Sequence, residues 1–168
     1  MKKIILTGIL ISMLSALLTG QGWQRRYGQA SEAEAGQFIT RTTDGGYLVR
    51  AAVGGENSAL LRLDADGDSL WVFTAGPFPS GNGPVEDRAV VNAAGEVFSV
   101  FYDSLFKFDA GGQKVFAVPS DFYRVLGIQT DGVVLWRQNT PSDSVKLRKY
   151  DFQGNPVWAK QHLLPGDL

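Results

Sequence analysis

The segment "LLRLDADGDSLW", residues 60–71, decides the fold because the chain contains two further copies of it. These are "LFKFDAGGQKVF" at 105–116 and "LRKYDFQGNPVW" at 147–158, which align without gaps at spacings of 45 and 42 residues. Self-similarity at such a period is typical of repeat architectures, in which each unit is one supersecondary element. The recurring positions are an aspartate, a glycine and a closing aromatic residue, namely Asp64, Gly67, Trp71, Asp109, Gly112, Phe116, Asp151, Gly154 and Trp158.

The three aspartates of the first copy allow two interpretations, a calcium loop or a turn. A calcium loop needs oxygen ligands at alternate positions and usually a closing Glu, but the twelfth residue from Asp64 is Ala75. Only the first Asp and the Gly recur in the other copies. We therefore predict Asx turns, in which the Asp side chain accepts backbone hydrogen bonds and the glycine is left-handed. A weak calcium site formed by Asp64, Asp66 and Asp68 is the alternative.

A second landmark precedes each copy, "TTDGGYLV" at 42–49, "NAAGEVFSV" at 92–100 and "QTDGVVLW" at 129–136. A glycine-containing turn between two β-rich runs predicts a hairpin. Together the two landmarks predict four short strands in each unit. The predicted strands are Gln37–Arg41, Tyr47–Val53, Ala59–Leu63 and Ser69–Thr74; Arg88–Val91, Val97–Tyr102, Leu105–Phe108 and Lys114–Val118; and Arg124–Ile128, Val133–Arg137, Val145–Tyr150 and Val157–Gln161.

A cation recurs at one position of the third predicted strand, as Arg62, Lys107 and Lys149, and the residues on either side of it point to the opposite face. This alternation favours strands over helices. Four-stranded antiparallel units of about 40–50 residues are typical of propeller blades, which bury their faces against neighbouring blades. The sequence predicts an all-β, partial or open β-propeller of about three blades, with units at about 36–75, 86–118 and 122–161.

The N-terminus predicts export. A positive start is followed by a charge-free apolar run from Ile4 to Gly20, and the small residues Gly20 and Gly22 indicate cleavage after residue 22. An uncleaved membrane anchor is the alternative. The predicted mature region is 23–168; its first residues, "WQRRYG" at 23–28, resemble a lone fourth strand, since Trp23 stands 48 residues before Trp71.

The amino-acid composition excludes several kinds of covalent modification and partner. There is no cysteine, so the chain lacks both disulfides and the lipid-bearing Cys of a bacterial lipoprotein. Without Lys2 and Lys3, 14 of the 16 basic residues remain against 17 acidic ones, about −3 in charge. This balance argues against nucleic acid as a partner. We expect a secreted or cell-surface protein with no membrane span after signal cleavage.

The pattern T-x-D-G-G-Y followed by L-x-x-L-D-x-x-G-x-x-x-W resembles the tandem repeats of large secreted proteins from the Bacteroidota, which are often type IX secretion cargo. This resemblance covers nearly all of the mature chain and implies a blade array outside the cell. The segment "LDADGDSLW" is also similar to the blade motif of quinoprotein-like propellers. That likeness extends to the fold only, because the vicinal cysteines and the cofactor motifs of true quinoproteins are absent from the sequence.

Candidate catalytic groups are sparse. His162 is the single histidine, so multi-histidine metal sites are excluded, and we interpret it as a surface residue. The adjacent Glu86 and Asp87 point to opposite faces of a strand, and Glu32 and Glu34 lack a partner group. The glycines of "GPFPSGNGP" at 76–84 are interpreted as an interblade loop, since no Lys-Ser/Thr follows as in a phosphate-binding loop. We predict no catalytic, cofactor-binding or metal residues.

The aromatic residues at the fourth-strand position are expected to pack in the core, which leaves Trp136 as the freer aromatic. We expect a non-catalytic propeller used for binding or surface display, with protein or glycan as the partner. The alternative is the N-terminal part of a secreted hydrolase or quinoprotein-like enzyme whose active site lies in further blades. Three units stand where closed propellers have about 4–8 blades, so remaining blades of a longer chain are also expected as partners.

Overall fold

The computed structural model describes residues 24–27, 35–54, 57–77, 89–121, 124–139 and 144–163. The secondary structure of these residues consists of twelve strands. They are β1 (Ala35–Arg41), β2 (Tyr47–Val53), β3 (Asn57–Leu63), β4 (Ser69–Pro77), β5 (Ala89–Val91), β6 (Val97–Phe101), β7 (Ser104–Phe108), β8 (Lys114–Pro119), β9 (Arg124–Gln129), β10 (Gly132–Asn139), β11 (Ser144–Tyr150) and β12 (Pro156–Leu163).

The strands form three separate four-stranded antiparallel sheets, each with its strands in sequential order. We name them blade 1 (β1–β4), blade 2 (β5–β8) and blade 3 (β9–β12). The predicted all-β class and the four strands of each unit are confirmed, and the observed boundaries differ from the predicted ones by a few residues at most. The chain therefore has a blade-repeat fold in the form of a partial or open propeller.

The fourth strand of blade 1 corrects one prediction. Gly76 and Pro77 belong to β4, although the sequence places them in an interblade loop. A bulge at Gly76 lets β4 continue its pairing with β3, from Ala75 opposite Ser58 to Pro77 opposite Asn57. Proline is tolerated there because β4 is an edge strand and its missing N–H removes no bond from a central ladder. Residues 78–84 of the same segment lie outside the described residues.

Several N-terminal predictions cannot be compared with the structure. The signal peptide, residues 1–22, and Trp23 lie outside the described residues, and residues 24–27 carry no strand. Among the residues that the structure describes, none forms a helix long and apolar enough to cross a membrane.

The hydrophobic core lies between the blades. One buried cluster joins blades 1 and 2 and contains Leu48, Leu60, Ala75, Ala89, Val97, Phe101 and Phe108. A second joins blades 2 and 3 and contains Phe98, Val100, Leu105, Val125, Val133, Leu135 and Tyr150. Since successive residues of a strand point to opposite faces, blade 2 contributes one face to blade 1 and the other to blade 3.

Candidate functional site

The recurring aspartates shape the turn between the third and fourth strand of each blade. In blade 1, the Oδ1 atom of Asp64 accepts hydrogen bonds from the backbone N–H groups of Asp66 and Asp68, at 2.9 and 2.8 Å. Asp151 makes the equivalent pair of bonds in blade 3, and Asp109 accepts one from Gln113. These are the bonds of an Asx turn, in which the carboxylate oxygen accepts hydrogen bonds from backbone N–H groups of the same turn.

The recurring glycines are left-handed, and two of them lie close to an aromatic side chain of the preceding blade. Gly67, Gly112 and Gly154 have φ values of 80°, 83° and 89°. A Cβ atom on Gly112 would lie 2.5 Å from Cγ of Trp71, and one on Gly154 would lie 3.1 Å from the ring of Phe116. The Trp71 indole also donates to the carbonyl of Ala110 in the same turn, at 3.2 Å. The turn is thus a contact surface between blades.

The structure does not bring the candidate calcium ligands together. In the described part of the chain, no group of three or more His, Asp or Glu side chains is placed to hold a metal ion. Asp68 is instead bound by Arg25 of the N-terminal segment, at 3.0 Å.

Each recurring cation forms an ion pair with an acidic residue at the first turn of its own blade. Arg62 contacts Asp44 at 2.5 Å, Lys107 contacts Glu96 at 2.8 Å and Lys149 contacts Asp131 at 2.6 Å. All three cations are buried, so their charges need such partners. This repeated pair was not predicted, although the recurring cation was the signal that could have revealed it.

The ion pairs change the titration of their acids. Hydrogen bonds from the Thr42 hydroxyl and then from Arg62 lower the pKa of Asp44 to about 2. The hydrogen bond from Lys107 lowers the pKa of Glu96, and the one from Lys149 lowers the pKa of Asp131. Each acid is held ionised beside a buried cation, which is a structural role.

Two buried cations also reach across to the following blade. Lys107 donates to the carbonyl of Phe152 in the turn of blade 3, at 3.0 Å. Arg50 lies between blades 1 and 2, where its guanidinium donates to the Val100 carbonyl at 2.8 Å and stacks 4.4 Å from the Phe101 ring. Polar bonds therefore fix the positions of neighbouring blades in addition to apolar packing.

The N-terminal segment contacts the turn of blade 1. The Tyr27 hydroxyl donates a hydrogen bond to the carbonyl of Gly67, and Arg25 pairs with Asp68. Tyr27 also packs at the edge of a third buried cluster, formed by Ala59, Leu61 and Leu63. An aromatic side chain thus lies at this turn, as at the turns of blades 2 and 3.

In the part of the chain that the structure describes, no blade packs on the face of blade 3 that corresponds to the faces covered by a following blade in blades 1 and 2. Cross-strand pairing makes Trp136, Leu147 and Lys160 of blade 3 equivalent to Val100, Leu105 and Val118 of blade 2. The same face carries Lys149, Trp158 and His162. We call these six residues, Trp136, Leu147, Lys149, Trp158, Lys160 and His162, the open face.

Cations lie over both tryptophans of the open face. The Arg124 guanidinium stands 5.0 Å from the Trp136 ring centroid, and the Lys160 ammonium stands 5.4 Å from that of Trp158. Such cation–π contacts hold the flat rings against the sheet while leaving the charge near the surface. His162 is exposed on β12, as expected for a surface histidine. The open face is both aromatic and cationic, a combination that sequence reasoning recognised only for Trp136.

The opposite face of blade 1 is exposed at its two edge strands, β1 and β4. Ile39 is 60% exposed, whereas its equivalents Ala89 and Val125 are 1% and 0% exposed because a preceding blade covers them. Val72 and Leu70 of β4 are also exposed. The exposed side chains of these two strands are apolar, whereas the open face also carries cations.

Four candidate acids, Glu32, Glu34, Glu86 and Asp87, lie outside the described residues.

No protein-family model and no curated protein matches the chain. Among solved structures, the chain is similar to a protein of unknown function from Bacteroides caccae, with a TM-score of 0.44 and 13% identity over 82% of this chain and 70% of that chain. Function is therefore inferred from the contacts described above.

Proposed function

We propose that this protein is a secreted, non-catalytic propeller-type scaffold that binds a partner at the cell surface through its open face. The observation that carries this proposal is that Trp136 is only half-buried at the position where Val100 of blade 2 is fully buried beneath blade 3, with Trp158 half-buried on the same face. Aromatic residues and arginine are enriched in binding interfaces, and Trp136 lies beside Arg124 on this face. Protein or glycan is the expected class of partner.

The recurring polar residues support a non-catalytic role. Asp64, Asp109 and Asp151 accept backbone hydrogen bonds in their turns, and the buried cations are held in ion pairs. A catalytic acid or base needs a free position beside a substrate pocket and a partner that prepares it for proton transfer. These groups are already used to hold the blades.

The N-terminal sequence supports the proposed location outside the cell. The run from Ile4 to Gly20 and the small residues before Trp23 support export, and the repeat pattern resembles type IX cargo of the Bacteroidota. N-terminal sequencing of the protein recovered from the culture medium tests this part. A mature chain beginning at Trp23 supports export, and a retained hydrophobic segment contradicts it.

Binding is tested by intrinsic tryptophan fluorescence. The purified protein is titrated with a panel of neutral and anionic polysaccharides, and the size distribution of each polymer is measured before and after incubation. We expect saturable quenching by at least one polymer with no change in its length. The Trp136→Phe/Trp158→Phe variant should lose this quenching, while the matched variant Trp71→Phe should keep it because Trp71 lies between blades. Shortening of a polymer with turnover would contradict the non-catalytic proposal.

A further inference from the structure

The open face repeats a surface that already holds a turn elsewhere in this chain. Trp71 packs on Gly112 in the turn of blade 2, and Phe116 packs on Gly154 in the turn of blade 3. Trp158 is the third member of this series, on the equivalent position of β12. Blade 3 thus presents the aromatic side chain of an interblade contact.

The cation of that contact is also repeated. Lys107 donates to the Phe152 carbonyl in the turn that Phe116 covers, and Lys149 is its equivalent beside Trp158. Lys149 and Trp158 are cross-strand partners, so both side chains lie on the same face of blade 3. In the contact between blades 2 and 3, the lysine donates to a carbonyl of the Asp-x-x-Gly turn and the aromatic ring packs on its glycine. Lys149 and Trp158 can make the same two contacts with another such turn.

One turn is covered by no blade that the structure describes. The turn at 64–68 has the same Asp-x-x-Gly pattern, and the N-terminal segment covers it with Tyr27 and Arg25. These two residues contribute an aromatic ring and a cation, which are the groups that blade 2 applies to the turn of blade 3. Segment 24–27 therefore covers the turn of blade 1 with the same two kinds of side chain.

Charges at the two ends are complementary. The turn of blade 1 has Asp66 and Asp68 where the other turns have neutral residues, namely Gly111, Gln113, Gln153 and Asn155. At the open face, Lys160 stands where blades 1 and 2 have Phe73 and Val118. Opposite charges across a contact favour one partner and one orientation.

We propose that the open face of blade 3 binds the 64–68 turn of a second copy of this chain, and that segment 24–27 competes for that turn. The inference rests on the proposed function in taking the open face as a binding surface, and it names the partner. Such a contact joins different surfaces of the two copies, so it either closes a ring or continues as a chain. Tyr27 covers the turn in part of the molecules, so the apparent association constant between copies is the intrinsic one multiplied by the uncovered fraction.

The first test removes the two side chains with which segment 24–27 covers the turn. Sedimentation velocity over a range of concentrations compares the purified protein with the Arg25→Ala/Tyr27→Ala variant. We expect the apparent dissociation constant of the variant to fall by about tenfold or more, because the uncovered fraction rises. Adding Trp158→Ala should reverse this, and Lys160→Glu, which alters an exposed side chain, serves if Trp158→Ala does not fold. A variant that stays monomeric at all concentrations overturns the proposal.

A mixing experiment then decides between head-to-tail and face-to-face contacts. In the Arg25→Ala/Tyr27→Ala background, one protein carries Trp158→Ala and the other carries Asp66→Lys/Asp68→Lys. Each alone should remain monomeric, while the mixture should form one-to-one complexes, since each protein supplies one intact surface. Self-association of the Asp66→Lys/Asp68→Lys protein alone would mean that open faces contact each other, and it overturns the proposal.

The control for general apolar association is Val115→Ala, which removes an exposed side chain from β8 of blade 2, away from both ends. It should leave the dissociation constant unchanged, and an effect equal to that of Trp158→Ala overturns the proposal. A protein that remains monomeric in every background but still shows polysaccharide quenching would contradict this inference and leave the proposed function intact. Absence of both would contradict the two together.

Discussion

The face of blade 2 that blade 3 covers and the equivalent open face of blade 3 have the same strand pairing but opposite surroundings. Leu105 is fully buried between blades 2 and 3, whereas its equivalent Leu147 is only half-buried. Val118 of the covered face is replaced by Lys160 on the open one. The stabilising contribution of a repeat position therefore depends on the neighbouring blade, since a face without a neighbour remains in water.

The largest expected difference comes from deleting the same side chain in both faces. Leu105→Ala should lower the free energy of unfolding by about 2–5 kcal/mol, because it leaves a cavity in the core between blades 2 and 3. Leu147→Ala should cost about 1 kcal/mol, since the side chain loses only partial burial. Urea denaturation followed by circular dichroism measures both. Equal losses would mean that the open face is covered in solution, and dependence on protein concentration would identify a second copy as the cover.

Adjacent glycines in the turn of blade 2 provide the second comparison. Gly112→Ala should destabilise the protein by about 1–3 kcal/mol, because φ is positive and the new Cβ meets the ring of Trp71. Gly111→Ala is the control, since its Cβ would lie 3.4 Å from Asp109 Oδ1. Thermal melts of the two variants measure the difference. A Gly112→Ala protein as stable as Gly111→Ala would show that blade 1 does not hold this turn.

The two buried lysines test the polar part of the same comparison. Lys107→Met removes an ion pair and leaves the Phe152 carbonyl without that donor, which should cost about 1–3 kcal/mol. Lys149→Met removes the ion pair with Asp131 and should cost less than about 1 kcal/mol, because that carboxylate is largely exposed. Chemical denaturation at neutral pH measures both. A larger loss of stability in Lys149→Met than in Lys107→Met would indicate a further contact of Lys149 in solution.

The smallest expected effect is the acid sensitivity of the first-turn pairs. The pKa of Asp44 is lowered from its ordinary value of 3.8 to about 2, so its stabilising effect is present above 3.8 and is lost as the pH falls through about 2. The side chain is 64% exposed, so the effect should be only about 0.2–1 kcal/mol. Asp44→Asn should flatten the unfolding free energy over this range. An unchanged pH profile in the variant would show that Glu96 and Asp131 dominate it.

Most of the fold could be predicted from the sequence because its determinants are local. Glycine turns and alternating apolar residues mark the strands, and β2 (Tyr47–Val53) was predicted without error. The end of β4 was missed because its extension to Pro77 depends on a bulge at Gly76, after which β4 pairs with β3 again. Turn chemistry acts over about four residues, whereas strand length depends on a partner elsewhere in the chain.

The candidate site was much less predictable. The acids that pair with the cations stand at different distances from the second strand, with Asp44 three residues before Tyr47 and Glu96 directly before Val97. Alignment of the repeats therefore does not superimpose them. Asp131, one turn residue of a tighter hairpin, reaches Lys149 in the same way. Side chains of different length reach the cation from different backbone positions, so the pairs appear only in three dimensions.

The sequence by itself determined the number of units, their four strands and the Asx turns, because turn formation and strand alternation depend on residues close together in the chain. Only the tertiary structure decided which copy of each repeated residue is covered. Trp71 and Trp158 occupy the same position in their motifs, yet one packs on the turn of a following blade and the other lies on the open face. Burial is a property of the neighbour as much as of the residue, and the repeat pattern is the same with or without that neighbour.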